Sequence, residues 1–194
     1  LAGSKVINTT KRNRGLQMRL GSAASSGDWL LFIHADTRMQ KDWGEVIYNK
    51  IKAESSKDLV WYFDFKIDKK SFSMSKLILE KSVLIRNLLF NSPYGDQGLL
   101  ISKKAYNNLK GHKKIPIMED FDLMLRIKKY YKIKSLKIPI FINSRRWDKT
   151  NIIHNSLKNF LYRCRWLSGE DPEQIAKDYY LNWHTKTHIF VLLV

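Results

Sequence analysis

Apolar residues alternate along this chain between strand-like and helix-like spacing. Trp29–His34 is an almost unbroken apolar run, which is typical of a strand buried on both faces of a sheet. Leu59–Ile67 is a second strand-like segment, rich in aromatic residues. Between them, Trp43, Val46 and Ile47 recur at the spacing of one helical face. The pattern therefore predicts strands that alternate with helices.

The rest of the chain continues this alternation. Further strands are predicted around Lys5–Asn8 and at Leu99–Ser102, Ile133–Ile138 and Ile140–Asn143, and further helices at Leu16–Ser26, Met74–Leu89, Glu119–Tyr131, Ile152–Leu167 and Pro172–Tyr180, with one more ending near Lys110. The apolar tail Ile189–Val194 is open to three interpretations: a buried final strand, an end that touches a membrane, or the start of a longer segment. This order predicts a single α/β domain over residues 1–194, with a mostly parallel sheet flanked by helices and a helical C-terminal part over residues 150–194.

Composition limits the function classes. The chain has 194 residues, enough for about one core, and a formal net charge of +17. This charge suits an anionic partner such as a phosphate-bearing ligand, nucleic acid or an acidic membrane face, although the lysines are dispersed in the manner of a solvated surface. The single Cys164 excludes an internal disulfide framework and a multi-cysteine zinc site. No apolar run reaches the ~20 residues of a membrane span.

The first candidate for chemistry follows the strand Trp29–His34. Ligands of open α/β sheets bind at the carboxyl ends of the strands, where Asp36 is expected to project. Mg²⁺ and Mn²⁺ prefer oxygen ligands, so Asp36 is a candidate to hold a cation that bridges a diphosphate. His34 is a candidate second ligand or nucleotide contact. An ordinary turn or cap role for Asp36 explains the same pattern.

Three further stretches carry weaker signals. Glu119 and Asp120 begin a predicted helix, where acids cap the helix dipole but where a carboxylate also suits a general base. The glycines of Tyr94–Gly98 permit close approach of the backbone to a ligand. The arginines of Ser144–Lys149 suit a phosphate clamp beside Trp147. Each stretch taken alone is better explained by a cap, a turn or a basic loop.

Taken together and in order, these stretches resemble a known enzyme family. The strings NRGLQMRLGSAASSGDWLLFIHADTR, GDQGLLISKKAY, IPIMEDFDLMLRI, SRRWD and LSGEDPEQIAKDYY resemble those of family 2 glycosyltransferases of the GT-A fold. They are similar in particular to the small bacterial subgroup described as transferase 2, radical-SAM/selenodomain-associated, of the arsenosugar-biosynthesis type. The resemblance extends to about Tyr180.

The resemblance implies an inverting transfer of a sugar from a nucleotide-diphosphate donor to an acceptor hydroxyl. His34 and Asp36 stand in the place of the family's DxD motif, which makes Asp36 the ligand of a divalent cation, Mg²⁺ or Mn²⁺. A histidine here replaces the first Asp that is often found in the motif. Asp120 stands in the place of the catalytic base, with Glu119 beside it.

The same resemblance assigns the remaining binding residues. Asp96 and Gln97 fall in the loop expected near the acceptor, and Arg14 falls at a basic position near the nucleotide. The family's arginine–tryptophan motif is matched by Arg145, Arg146 and Trp147, with the arginines near the donor diphosphate and the tryptophan near the acceptor. The resemblance also implies that the family's first βαβ part precedes Leu1, so the chain is expected to be an N-terminally truncated domain.

Other functions compete with this hypothesis. A nucleic-acid-binding protein would explain the charge, but the dispersed lysines do not form a basic stripe, and no nucleic-acid partner is expected. A metal-dependent phosphoesterase would use His34, Asp36 and Asp120, which are fewer ligands than two-metal hydrolases need. A non-catalytic fragment is a third alternative. The predicted acceptor is a small molecule or a lipid-linked hydroxyl, and the predicted location is cytoplasmic, either soluble or peripheral at the membrane.

Overall fold

A computed structural model of the chain describes residues 6–10, 12–53, 58–68, 74–143, 152–181 and 189–193. The helices are α1 Arg14–Ala24, α2 Trp43–Ala53, α3 Met74–Phe90, α4 Lys103–Asn108, α5 Glu119–Tyr130, α6 Ile152–Leu167 and α7 Pro172–Leu181. The strands are β1 Trp29–His34, β2 Thr37–Met39, β3 Leu59–Asp68, β4 Leu99–Ser102, β5 Lys132–Asn143 and β6 Ile189–Leu193. The predicted α/β class is therefore confirmed.

The described strands form one mixed sheet in the order β2-β5-β3-β4-β1-β6. Only β3 and β5 pair in parallel, whereas the other four neighbouring pairs are antiparallel. The expectation of a mostly parallel sheet is therefore wrong. The physical reason is that β4 enters between β1 and β3 in the opposite direction, and apolar patterning alone does not report strand direction.

The sheet is buried on both faces, as its nearly continuous apolar strands require. Leu30 and Phe32 of β1 pack with residues of α1, α4 and α5 on one face. Leu31 of β1 and Trp61 of β3 pack with Ile47 of α2 on the other face. Successive side chains of one strand point to opposite faces, so each of these strands contributes to two cores.

Two smaller clusters complete the packing. Leu79 and Val83 of α3 pack against the far ends of β3 and β5. The C-terminal helices α6 and α7 pack around Ile117 and Met118, directly before α5. The backbone of Met118 has a φ of 64°, a left-handed conformation that is uncommon outside glycine. The C-terminal helices therefore cover a tight bend from which α5 starts.

Several element boundaries differ from the predicted ones. The two strands predicted on either side of Pro139 form one strand, β5, and its register against β3 shifts between Tyr62 and Asp64. Lys137, with a φ of 60°, lies in this irregular stretch. Residues 6–8 form no strand, and Lys5 lies outside the described residues. Helix α1 begins earlier than expected, because the Asn13 side chain caps it by accepting a hydrogen bond from the Leu16 N–H.

The apolar tail forms the strand β6, which pairs antiparallel with β1 at the edge of the sheet. Residues 189–193 therefore form a final strand, as the first of the three interpretations expected for the backbone. In the part of the chain that the structure describes, no helix combines the length and the apolar character needed to cross a membrane.

Candidate functional site

Four of the predicted site residues, Arg14, His34, Asp96 and Asp120, line one cleft at the carboxyl end of β1. This strand ends at His34, and Phe32 pairs with Leu99 at the start of the antiparallel strand β4. The loop 93–98 that precedes β4 is therefore brought to the end of β1. A cleft of about 130 Å³ opens there, lined by Arg14, His34, Tyr94, Gly95, Asp96, Ile117, Met118, Asp120, Phe121, Asn159, Arg163 and Tyr179.

Asp120 lines this cleft in a well-defined orientation. Its Oδ2 accepts a hydrogen bond from the Gly95 N–H at 3.0 Å, and its Oδ1 accepts one from the Phe121 N–H at 2.7 Å. Two backbone donors thus orient the carboxylate. A Cβ on residue 95 would lie 2.6 Å from Asp120 Oδ2. Glycine at this position is therefore what allows the loop and the carboxylate to approach.

Glu119, unlike Asp120, does not line the cleft. Its side chain is fully buried and forms an ion pair with Arg14, with 3.0 Å between Oε1 and Nε. Burial raises the pKa of Glu119 to about 7, against the opposing effect of the Arg14 charge and with a further increase from Asp120. Burial works to lower the pKa of Arg14, but the carboxylates of Glu119 and Asp120 outweigh it and the net change is upward. Glu119 thus positions Arg14 and the start of α5.

Close backbone packing brings Arg14 to this pair. The Gly15 N–H donates to the Ile115 carbonyl at 3.1 Å, and a Cβ on residue 15 would lie only 1.7 Å from the Lys113 carbonyl oxygen. The start of α1 therefore rests directly on the segment that leads into α5. Asp122, the third acid of this turn, is buried and paired with Lys113 and Arg126, so it serves the packing of α5.

Tyr94 connects two arginines to the cleft. The guanidinium carbons of Arg86 and Arg163 lie 3.5 and 4.4 Å from the centre of its ring, in cation–π geometry. Burial and the neighbouring charge of Arg86 lower the pKa of Arg163 to about 10, which leaves it charged at neutral pH. Burial lowers the pKa of Arg86 as well, although Asp96 opposes this. Arg163 of α6 thus adds a positive charge to the cleft wall, whereas Arg86 of α3 contacts the cleft only through the Tyr94 ring.

Gln97 was predicted to contact the acceptor, but its side chain lies in the interior of the protein. It is fully buried, and its Nε2 donates to the Phe63 carbonyl at 3.2 Å. Its Oε1 accepts from Arg86 at 2.7 Å and from the Tyr94 N–H at 3.4 Å. The expected contact between Gln97 and an acceptor does not fit this burial, because the whole amide is engaged in holding the loop 93–98. Asp96, the other predicted acceptor residue, does line the cleft.

The predicted cation ligands are only partly assembled. His34 lines the cleft, and Asp36 lies in the exposed turn that follows it. Among the described residues, no group of three or more His, Cys, Asp or Glu side chains is arranged to hold a metal ion. Mg²⁺ commonly takes one or two carboxylates and completes its shell with substrate phosphates and water. The single Asp36 carboxylate fits a cation of that kind, one that arrives with a diphosphate.

The third predicted group, Arg145, Arg146 and Trp147, lies outside the described residues. The structure adds Arg86 and Arg163, which the sequence analysis did not select. Both lie in helical segments that contain no local motif. They are distinguished only in the structure, where each lies over the ring of Tyr94, a residue outside its own helix. The one available signal was that Arg163 stands in a helix without any acidic residue.

Comparison with known proteins found no family model that matches the chain and no curated protein with significant similarity to it. The functional argument therefore depends on the residues of the cleft.

Proposed function

We propose that this protein is an inverting glycosyltransferase that uses a nucleotide-diphosphate sugar, with Asp120 as general base. The observation that carries this proposal is the carboxylate of Asp120, oriented by two backbone N–H groups and facing a cleft that also contains Arg14 and Arg163. A base and two cations in one cleft suit a reaction that removes a proton from an alcohol and releases an anion. The sequence resemblance and the α/β architecture support the same GT-A assignment.

In the proposed reaction Asp120 accepts the proton of the acceptor hydroxyl. The oxygen attacks the anomeric carbon of the donor from the face opposite the diphosphate, and a new C–O bond forms with inversion. The bond between the anomeric carbon and the diphosphate oxygen breaks, and its electron pair leaves with the nucleoside diphosphate. A base in this position typically contributes about 10²–10⁴-fold to the rate.

The arginines would stabilise the leaving group. Arg163 remains charged at neutral pH and lines the cleft, so it can donate charge-assisted hydrogen bonds to phosphate oxygens. Arg14 stays charged but is ion-paired with Glu119, so Arg163 contributes more of the net positive charge that faces the phosphates. Asp36 is the residue that would hold a divalent cation, which would supply further neutralisation of the diphosphate when bound.

Asp96 and Tyr94 would face the acceptor. Both line the cleft beside Asp120, and Tyr94 offers a flat surface against which a sugar ring or an apolar acceptor can pack. These two residues do not discriminate among acceptors. The proposal requires only that the acceptor carries a hydroxyl group within reach of Asp120.

Nucleotide binding tests the proposal directly. Trp166 contacts Phe121 of the cleft edge-on, with 5.7 Å between ring centres, so tryptophan fluorescence should report occupancy. We expect saturable quenching by at least one nucleoside diphosphate in a series that includes UDP, GDP and ADP, in the presence of Mn²⁺. If the whole series fails to bind while an oligonucleotide binds with a steep salt dependence, the protein is a nucleic-acid-binding protein and the proposal is wrong.

A further inference from the structure

Helix α3 presents an apolar stripe to solvent along its whole length. Its buried face is formed by Leu79 and Val83, which pack on β3 and β5. The opposite face carries five exposed apolar side chains at helical spacing, Met74, Ile78, Ile85, Leu88 and Leu89. Leu88 and Leu89 are 72% and 70% exposed. Single exposed apolar residues are ordinary, but a row of them over roughly 20 Å of one helix is typical of interaction surfaces.

The charges around this stripe are predominantly positive. The only acidic residue of α3 is Glu80, which is buried and accepts hydrogen bonds from Lys66 and from the Ile67 N–H. A groove of about 290 Å³ runs beside the stripe, and Lys66, Lys81 and Lys137 line it together with Leu84 and Leu88. The other carboxylate of the groove, Asp64, accepts a hydrogen bond from Ser135 at 2.5 Å.

We propose that the α3 stripe docks this protein on an anionic lipid membrane, with the apolar side chains in the headgroup boundary and the lysines against lipid phosphates. A helix with one apolar exposed face and cationic flanks is the arrangement by which interfacial helices bind membranes. Each lysine near an anionic surface strengthens binding about fivefold. Of the charged residues of α3, Lys76 and Glu80 are buried, so Lys81 is the exposed cation of this helix, and Lys66 and Lys137 add two exposed cations beside it.

Charge decides between a membrane and a second copy of the chain. Each copy has a formal charge of +17, so stripe-to-stripe association would bring two positive surfaces together. An anionic bilayer reverses the sign of that interaction and covers the same apolar side chains. The membrane is therefore the occupant that satisfies both the stripe and its lysines.

Docking through α3 would also bring the cleft close to the lipid headgroups. Arg86 of the same helix lies over Tyr94, which lines the cleft. The cleft is thus separated from the membrane by about the width of one helix, 10–12 Å. The docking proposal itself does not depend on the glycosyltransferase proposal, because vesicle binding needs neither a donor nor turnover.

Vesicle flotation with the full chain tests the proposal. The vesicles are phosphatidylcholine alone and phosphatidylcholine with about 30% phosphatidylserine. The test variant carries Ile85→Ser and Leu88→Ser. The matched control carries Leu157→Ser and Leu161→Ser, two exposed leucines of α6. Circular dichroism and thermal melting establish that both variants are folded.

We expect binding to the anionic vesicles only, a loss of about tenfold or more in the α3 variant, and little change in the α6 variant. Lys81→Glu should weaken binding as well, and added salt should reduce it. The proposal is overturned if anionic vesicles do not bind the protein, if neutral vesicles bind it equally well, or if the α3 variant binds as the parent does. It is also overturned if sedimentation shows a dimer of the parent that the α3 variant cannot form.

Discussion

The Asp120 carboxylate accepts a hydrogen bond from the backbone N–H of Gly95, with 3.0 Å between Oδ2 and N, although the two residues are 25 positions apart in the chain. This contact joins the loop before β4 to the start of α5, and both segments line the cleft. The backbone of Gly95 therefore orients the proposed base, although glycine has no side chain that could itself take part in catalysis.

The first prediction concerns Gly95→Ala. The added Cβ would lie 2.6 Å from Asp120 Oδ2, so the carboxylate must move. A displacement of about 1 Å at a reacting group can cost about 10²-fold in rate, so we expect kcat to fall by that order with little change in donor affinity. Gly44→Ala is the control, because a Cβ there meets no atom within 4 Å. Equal kinetics in the two variants would show that the Gly95 contact does not orient the base.

The second prediction concerns Arg163→Gln. Loss of a charge-assisted hydrogen bond to phosphate should raise the Kd for the nucleoside diphosphate about 10- to 100-fold. The affinity for the uncharged nucleoside should change little, because the arginine recognises phosphate. Lys158→Gln, on the same helix, removes a charge that does not line the cleft and serves as the control. Titration calorimetry of all three proteins measures these affinities, and an unchanged Kd in Arg163→Gln would remove the phosphate role.

The third prediction concerns Asp36→Asn. If Asp36 holds a cation that arrives with a diphosphate, Mn²⁺ should strengthen nucleoside diphosphate binding to the parent and should have little effect on the variant. Binding measured without metal should be similar in both proteins, because the exposed Asp36 makes no contribution to the cleft wall. A variant that keeps the full Mn²⁺ effect would assign the cation to other residues.

The fourth prediction concerns stability and pH. Burial raises the pKa of Glu119 in the folded protein from 4.5 to about 7. The stability that this group contributes is therefore present below pH 4.5 and is lost as the pH rises through 7. The loss is on the order of 3 kcal/mol, and Glu119→Gln should abolish it because glutamine stays neutral. The free energy of unfolding of the variant relative to the parent should increase between about pH 5 and pH 8.

His112 gives a pH dependence of stability opposite to that of Glu119, and it does so in both the parent and the Glu119→Gln variant. Burial lowers its pKa from 6.5 to about 3, so its contribution is present above pH 6.5 and is lost as the pH falls toward 3. Because this contribution is common to parent and variant, it cancels in their difference. Urea unfolding at several pH values measures that difference, and a difference independent of pH would contradict the shifted pKa of Glu119.

Local pattern was sufficient to predict many of the elements of this fold. The apolar run Trp29–His34 forms β1 with the predicted bounds, and acidic Glu119 begins α5 as expected. The direction of β4 could not be predicted, because all four residues of this short strand are buried and its three apolar residues would suit either orientation. The continuity of β5 through Pro139 depends on the irregular pairing with β3, which is a property of two distant segments.

The candidate site shows the same limit. Asp120 was predicted as the base from the resemblance to family 2 glycosyltransferases, since its place at the start of a helix alone favoured a capping role, and the structure adds the Gly95 contact that orients it. The burial of Gln97 could not be predicted, since a polar residue between two glycines normally indicates an exposed turn. Arg163 was missed because its role arises from a tyrosine 69 positions earlier in the chain. Long-range contacts of this kind leave no local signal.

The fifth prediction tests the central claim, that Asp120 is the general base, most directly. The measurement compares sugar transfer and donor affinity in the parent and in Asp120→Asn, with the exposed Asp42→Asn as control. We predict that Asp120→Asn binds the donor nearly normally and loses about 10²–10⁴-fold in kcat, while the control keeps the activity of the parent. Near-parental transfer by Asp120→Asn would contradict the assignment.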